Sequence, residues 1–297
     1  MQLQANGITL EAERFGPPDG EALVLIMGLG LQLTRWPVPL CELLAARGLQ
    51  VIRFDNRDIG LSTRLDAAGP VRFGELLAAL KAGLPPPIPY TLDDMALDVV
   101  GLLDALGLQR AHLAGLSMGG MIAQLVAADH PQRVRSLTSI MSTSANRDLP
   151  RATPEAQAAL VGRPPDPSLD LGSYLDFAVR ANEAIGSPGY PTEAAELRAR
   201  AERDYRRSWS PTGFSRQYGA VVAAPDRRAK LRTITAPTVV LHGAQDPLIP
   251  VEAGRDTAGN IPGAELRIIE GMGHDVPEPL YGAFADAIWS AVLRGRA

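Results

Sequence analysis

The sequence is poor in the residues that mark secreted, nucleic-acid-binding or membrane-spanning proteins. Its 297 residues include one cysteine, Cys41, so an internal disulfide is excluded and a reducing compartment is favoured. The net charge of −4 indicates no basic surface for nucleic acid or an anionic membrane. The longest apolar run, residues 22–31, contains two glycines and is too short to cross a bilayer. No basic segment precedes an apolar stretch at the N-terminus, so we expect no signal peptide and a cytoplasmic location.

What is present indicates a single large α/β domain that carries an insertion. Hydrophobic residues make up 46% of the chain, enough to bury a substantial core. Residues 3–5 and 8–14 alternate around Asn6-Gly7, which predicts an antiparallel hairpin. Short apolar runs then alternate with helical patterns, which predicts a mostly parallel, twisted sheet with helices on both faces. The runs are 22–27, 51–55, 111–114, 134–141, 238–242 and 265–269.

The alternation stops between residues 142 and 230. Several prolines interrupt this stretch, and helical patterns follow near 174–184 and 191–208. We therefore expect a core formed by residues 1–141 and 231–297, and a helical cap or lid formed by residues 142–230. A smaller insertion, residues 63–90, contains a proline cluster and is expected either to wall the entrance or to be a stiff surface loop.

The aromatic residues of the cap have two interpretations. They could line an apolar pocket, or they could hold the cap together, which is the commoner role for most such residues. They are Tyr174, Phe177, Tyr190, Tyr205, Trp209, Phe214 and Tyr218.

Residues 115–119 read Gly-Leu-Ser-Met-Gly between an apolar run and an amphipathic one, which is the pattern of a nucleophile elbow. In so tight a strand-to-helix turn, the positions two before and two after Ser117 nearly touch, so Gly115 and Gly119 suit them. The Ser117 hydroxyl would then project from the sheet edge, beside the Met118 N–H at the helix start. A glycine-rich turn with an incidental serine is the alternative.

A serine nucleophile needs a base, and the chain has only four histidines. His112 and His242 lie inside apolar strands, and His130 lies at a helix end before a proline. His274 lies in a glycine-rich loop between the last strand and the last helix, where a general base is expected.

The expected acid is Asp246, in the loop that follows the run 238–242. The order serine, aspartate, histidine is the chain order of α/β-hydrolases. A simple turn aspartate before Pro247 is the alternative. Asp148 is the second candidate for the acid, and Asp275, adjacent to the histidine, is a weaker one.

An acyl-transfer site also needs two donors for the oxyanion. The Met118 N–H supplies one, and the glycines of the 28–30 loop favour the Leu29 N–H as the second. An ordinary glycine turn is the alternative for this loop.

Together these motifs resemble the α/β-hydrolase superfamily over nearly the whole chain. They lie at residues 28–30, 55–62, 115–119, 243–247 and 271–274. Two departures are Met27, where many members have histidine, and Asp58, where many have glycine. These variants resemble the branch of capped esterases that contains aclacinomycin methylesterase, which acts on a polyketide methyl ester.

The resemblance implies the α/β-hydrolase fold and a carboxylic ester hydrolase that acts on small to medium apolar esters through an acyl-enzyme. Ser117, Asp246 and His274 would form the triad, Leu29 and Met118 the oxyanion hole, and no metal or organic cofactor is expected. A lactonase, a cofactor-free perhydrolase and a C–C hydrolase use the same triad, as would a lyase with acid–base residues in this pocket. A ligand-binding receptor on this fold is the remote alternative. The expected partner is a small-molecule ester, with no nucleic acid or membrane, in a monomer or homodimer.

Overall fold

One sheet of eight strands runs through the molecule, and the computed structural model describes residues 1–296 of the chain. The strands are β1 (Gln2–Ala5), β2 (Ile8–Phe15), β3 (Glu21–Ile26), β4 (Leu49–Phe54), β5 (Ala111–Leu116), β6 (Val134–Ile140), β7 (Thr238–Gly243) and β8 (Glu265–Ile269). Their spatial order is β1-β2-β4-β3-β5-β6-β7-β8. β2 pairs antiparallel with β1 and β4, and all other pairs are parallel. The predicted sheet and its N-terminal hairpin are confirmed.

Helices cover both faces of this sheet, as predicted. They are α1 (Val38–Ala45), α2 (Phe73–Lys81), α3 (Leu92–Ala105), α4 (Met118–Asp129), α5 (Pro154–Val161), α6 (Leu171–Ile185), α7 (Ala194–Arg207), α8 (Gly213–Ala223), α9 (Arg228–Leu231), α10 (Val251–Asn260) and α11 (Tyr281–Arg296). Within residues 1–296, no helix has both the length and the apolarity needed to cross a membrane.

The central strand β3 shows why the runs are continuously apolar. Side chains alternate between the two faces of a strand, so both faces of a buried strand must be apolar. Val24 and Ile26 belong to the core that α3 and α4 cover. Leu23 and Leu25 belong to the other core, which α1 and α11 cover.

The start of α3 follows directly from the sequence. The Thr91 hydroxyl accepts the Asp94 N–H at 3.2 Å, and the Asp94 carboxylate accepts the Thr91 N–H at 2.8 Å. Threonine followed three residues later by an acid is typical of such a reciprocal capping box, because the pair satisfies two free N–H groups at a helix start.

Between β6 and β7, the regular secondary structure of the described residues is entirely helical. Helices α5 to α9 lie in this interval and are joined by loops. The smaller insertion, residues 63–90, contains α2, which the sequence did not predict. The last residue assigned to the predicted core, Ala297, lies outside the described residues.

Candidate active site

The turn between β5 and α4 forces Ser117 into a rare backbone conformation. Its φ is 54° and its ψ is −118°, which costs a non-glycine residue about 1–3 kcal/mol. A Cβ on Gly115 would lie 2.1 Å from the Gly119 carbonyl oxygen, and one on Gly119 would lie 2.1 Å from the Ile26 carbonyl oxygen. Glycine is therefore required at both positions, and the turn has the geometry of the predicted elbow.

The three residues proposed from sequence as a triad meet at the carboxyl edge of the sheet. His274 Nε2 lies 3.0 Å from Ser117 Oγ, and His274 Nδ1 lies 2.7 Å from Asp246 Oδ2. The Asp246 side chain is fully buried, and that of His274 nearly so. Serine, base and carboxylate thus form one continuous hydrogen-bonded row.

Asp246 is oriented by its own loop. Its second oxygen, Oδ1, accepts the N–H groups of Leu248 at 2.9 Å and Ile249 at 2.8 Å. His242 supports the same loop, because its Nε2 lies 2.7 Å from the Ile249 carbonyl oxygen and must donate to it. Burial lowers the pKa of His242, which favours the neutral ring. The sequence placed His242 inside an apolar strand and gave no signal for its contact with the Ile249 carbonyl oxygen.

The structure places the other candidate residues elsewhere. Asp148 lies in an exposed turn, and Asp275 hydrogen-bonds the Ser187 hydroxyl. His112 lies inside the sheet with its Nδ1 2.8 Å from Ser136 Oγ.

Cys41 is fully buried on α1, where burial raises the pKa of its thiol to about 12 and leaves it unreactive.

Two backbone N–H groups close to Ser117 in the fold are candidates for binding an oxyanion. Met118 is the first residue of α4, so its N–H has no acceptor within the helix. The Leu29 N–H has no hydrogen-bond acceptor among residues 1–296. A Cβ on Gly28 would lie 3.3 Å from the Ser117 Cβ, so the 28–30 loop passes directly over the serine. The arrangement suits an oxyanion hole.

Residues that sequence reasoning missed hold this loop in place. Gln217 on α8 accepts the Gly30 N–H at 2.8 Å and donates to the Arg57 carbonyl oxygen at 2.8 Å. The Asn56 amide donates to the Met27 carbonyl oxygen at 2.9 Å. Asn56 belonged to a recognised motif, whereas Gln217 gave no signal in the sequence.

Comparison with known proteins agrees with this geometry. The family model described as alpha/beta hydrolase fold matches residues 21–278. The chain belongs to the α/β-hydrolase family. The prediction of a hydrolytic enzyme of this fold is thereby confirmed.

Individual relatives are hydrolases of different esters. The chain is 30% identical to rhodomycin D methylesterase DauP of a Streptomyces species, over 95% of this chain and 94% of that protein. It has the same identity and coverage with rhodomycin D methylesterase DnrP of Streptomyces peucetius. A solved enol-lactonase of Burkholderia xenovorans superimposes with a TM-score of 0.72 at 22% identity, over 99% of this chain and 100% of that one. The last likeness concerns the fold alone.

Ser117 and His274 open into a cavity of about 1150 Å³. Most of its lining is apolar, including Met121, Val221 and Phe214. Two of the seven aromatic residues between 174 and 218, Phe214 and Tyr218, line it, and their stacked rings have centroids 6.0 Å apart. In contrast, Tyr174, Tyr205 and Trp209 pack against one another, which is the structural role considered for most of these residues.

The smaller insertion does not wall this cavity, so that expectation was wrong. Among the described residues, none from 63–90 lines it. The insertion instead packs behind α8, where the Phe73 ring lies 5.3 Å from the Tyr218 ring. Proline clusters do not indicate which surface a loop covers.

The 55–62 loop binds the helices that follow β6. The buried carboxylate of Asp58 accepts two hydrogen bonds from Arg216 on α8, at 2.8 and 2.7 Å. Asp55 accepts one from Arg207 on α7 at 2.7 Å. Asp58 has a φ of 73°, which explains why glycine is common here in related proteins, and its side chain provides the contact to α8.

A second contact joins these helices to the histidine loop. The carbonyl oxygen of Ile185, the last residue of α6, accepts the His274 N–H at 2.7 Å, and Ser187 Oγ, in the segment after α6, accepts the Gly273 N–H at 2.9 Å. A Cβ on Gly273 would lie 2.2 Å from the Gly186 carbonyl oxygen. The loop that carries the histidine therefore lies directly against this segment.

Among residues 1–296, no three His, Cys, Asp or Glu side chains are grouped closely enough to hold a metal ion.

Proposed function

We propose that the chain is a carboxylic ester hydrolase in which Ser117 is the nucleophile, His274 the general base and Asp246 the orienting acid. One observation carries the proposal: the His274 ring bridges Ser117 Oγ at 3.0 Å and Asp246 Oδ2 at 2.7 Å. A hydroxyl in hydrogen-bond contact with a base that is itself held by a buried carboxylate is the arrangement that activates serine.

In the first half-reaction, Ser117 Oγ attacks the acyl carbon and His274 Nε2 takes the hydroxyl proton. Asp246 accepts the Nδ1–H and stabilises the imidazolium that forms. The N–H groups of Met118 and Leu29 bind the oxyanion, and removal of one such donor from a related site costs about 3–4 kcal/mol. His274 then gives its proton to the departing alkoxide, so that the alcohol leaves and an acyl-enzyme remains.

In the second half-reaction, His274 takes a proton from water, and the resulting hydroxide attacks the acyl carbon. The tetrahedral intermediate collapses, the carboxylic acid leaves, and Ser117 recovers its proton from His274. Every step uses groups that lie at the sheet edge.

We propose further that residues 142–230 act as the cap of this site. In support, Phe214, Tyr218 and Val221 of α8 contribute apolar lining to the cavity. The cavity volume of about 1150 Å³ exceeds the usual range for small-ligand pockets, so esters larger than the small to medium ones expected from sequence also fit. Two relatives are named methylesterases, which is consistent with a substrate that has a small alcohol group.

Lactone hydrolysis is the second candidate, because a lactone is an internal ester and the same steps open it. The observation that favours it is a 26% identity with 3-oxoadipate enol-lactonase 2 of Acinetobacter baylyi, over 90% of this chain and 87% of that protein. Turnover of simple lactones relative to open-chain esters of equal carbon number distinguishes the two activities.

The testing experiment is hydrolysis of p-nitrophenyl esters from acetate to dodecanoate by wild type and by Ser117→Ala. We expect turnover by wild type and a loss on the order of a million-fold in the variant, as in other triad enzymes. Activity of Ser117→Ala above about a hundredth of wild type would contradict the assignment, since the remaining groups supply only about 10³–10⁴-fold over water.

A further inference from the structure

Arginine is the most common charged residue in the lining of the cavity. Six arginines, four acidic residues and no lysine are found among the described residues that line it, whereas the net charge of the chain is −4. Arg35, Arg53 and Arg207 form ion pairs with carboxylates, so they offer little free charge to a ligand. Attraction of an anion into the cavity therefore depends on the arginines that the protein does not neutralise.

The charge is concentrated on one side of α7. Leu197, Arg200, Asp204 and Arg207 follow one another at intervals of three or four residues, which places them on one helix face, and all four line the cavity. Two of them form ion pairs with charged residues of the core. Asp204 accepts a hydrogen bond from Arg35 Nε at 2.5 Å, and Arg207 donates one to Asp55 at 2.7 Å.

Arg200 forms no such ion pair with the core. Its Nε donates to Glu196 Oε1 at 2.8 Å, but the same oxygen accepts Arg203 Nη2 at 3.0 Å, so one carboxylate serves two guanidinium groups. Among residues 1–296, neither Nη of Arg200 has a hydrogen-bond acceptor. The Nη edge of Arg200 thus carries charge and donors that the described protein does not use.

Arg200 lines the same cavity as Ser117 and His274. Asp275, the residue after His274, and Tyr281 line it as well. Burial raises the pKa of both groups, and the Arg200 charge opposes the increase in each case. A substrate whose acyl carbon contacts Ser117 therefore shares its cavity with the free edge of Arg200.

We infer that Arg200 is a specificity-determining residue that binds a carboxylate carried by the ester substrate. Two side-by-side N–H donors with a full positive charge fit the two oxygens of a carboxylate better than any neutral group. The inference rests on the proposed ester hydrolysis, and it narrows the substrate to an ester of which one part is apolar and another is anionic.

The test compares three methyl esters of equal chain length with different ends: monomethyl adipate, methyl 6-hydroxyhexanoate and methyl hexanoate. We expect wild type to have a kcat/KM for the carboxylate ester about tenfold or more above that for methyl hexanoate, as hydrogen bonds to a charged group imply. We also expect added salt to reduce this preference.

Arg200→Met should remove most of the preference, and Arg200→Lys should retain part of it, since lysine keeps the charge but not the paired donors. Arg198→Met is the matched control. Arg198 lies on the same helix, pairs with Asp176 on α6 and is absent from the cavity lining, so this variant should keep the wild-type ratio.

The measured ratio is kcat/KM for monomethyl adipate divided by kcat/KM for methyl hexanoate. The inference is overturned if this ratio is one or less in wild type, or if Arg200→Met leaves it unchanged. It is also overturned if the hydroxyl ester is preferred over the carboxylate ester. Calorimetric titration of monomethyl adipate into Ser117→Ala separates the two proposals, because it requires no turnover. If monomethyl adipate binds to Ser117→Ala and the additional change Arg200→Met weakens this binding, the carboxylate site is supported even if the esterase assignment fails. Absence of binding, together with p-nitrophenyl ester turnover, refutes the carboxylate site alone.

Discussion

Ser117 combines a strained backbone with a hydroxyl in contact with His274, and both follow from its neighbours. The positive φ of 54° is tolerated because β5, α4 and the two glycines leave the turn no other path. Strain held by the surrounding structure is common at active sites, since it fixes a reacting group before substrate arrives. The geometry of the serine is thus set by the fold around it.

The carboxylate of Asp246 gives the first prediction at this scale. Asp246→Asn keeps the size of the side chain but can present an amide N–H to His274 Nδ1, which favours the wrong tautomer of the ring. We expect kcat for p-nitrophenyl butyrate to fall about 10⁴-fold, as for the equivalent change in serine proteases.

The control for that variant is its stability. Asn can still accept the N–H groups of Leu248 and Ile249 through one oxygen, so the thermal midpoint should shift by only a few degrees. A loss of kcat smaller than about tenfold in a folded Asp246→Asn would show that another carboxyl group orients the histidine.

Among the elements, the contact between the segment after α6 and the histidine loop has the most direct consequence for activity. Ser187 is buried, accepts the Gly273 N–H at 2.9 Å and donates to the Asp275 carboxylate. It touches no reacting atom, so it acts through the position of His274. The loop that carries His274, the proposed base, is therefore held in part by a residue of the proposed cap.

Ser187→Ala should accordingly lower kcat by about tenfold with little change in KM, because small displacements of a catalytic group cost between tenfold and a hundredfold. The matched control is Ser208→Ala. Ser208 also joins this helical region to the core, by a 2.6 Å hydrogen bond to the Gly60 carbonyl oxygen, but among residues 1–296 its hydroxyl makes no hydrogen bond to the histidine loop.

Steady-state kinetics of Ser187→Ala and Ser208→Ala shows whether the loss of kcat comes from the position of His274. If Ser208→Ala lowers kcat as much as Ser187→Ala, the effect arises from docking of the helices in general. If neither variant lowers kcat, the histidine loop holds its position without Ser187.

The elements also show how far sequence reasoning reaches. The strands were predicted because burial on both faces demands continuous apolar runs, as in β3, and the elbow was predicted because only glycine fits beside Ser117. The Ser187–Gly273 and Asp58–Arg216 contacts join residues 86 and 158 positions apart. No local pattern encodes such pairings, so Gln217, Arg216 and Ser187 gave no signal. The helix α2 was missed because its apolar face covers α8 rather than the sheet.

The stability of the whole molecule should depend on pH through His112, which is buried in the middle of the sheet. Burial lowers the pKa of His112 to about 4, well below the ordinary value near 6.5. Between these two values the unfolded chain binds a proton that the folded chain does not, so stability falls as the pH decreases. The contribution is fully present above about pH 6.5 and is lost by about pH 4.

The prediction compares wild type with His112→Asn, in which the amide retains a hydrogen-bonding group near Ser136 but does not titrate. From about pH 7 to about pH 5, wild type should lose about 2 kcal/mol more of its free energy of unfolding than the variant. Urea denaturation at the two pH values measures this difference. Equal losses in both proteins would show that folding leaves the pKa of His112 unchanged.

The most direct test of the central claim is covalent labelling of the nucleophile. Wild type, Ser117→Ala and His274→Ala are treated with an alkyl p-nitrophenyl phosphonate, and the intact mass and modified peptide are measured. We predict one adduct per chain, located on Ser117, none on Ser117→Ala, and labelling of His274→Ala slower by at least a hundredfold, since the general base contributes about 10²–10⁴-fold. Labelling at another residue, or at equal rate in His274→Ala, would contradict the activation of Ser117 by His274.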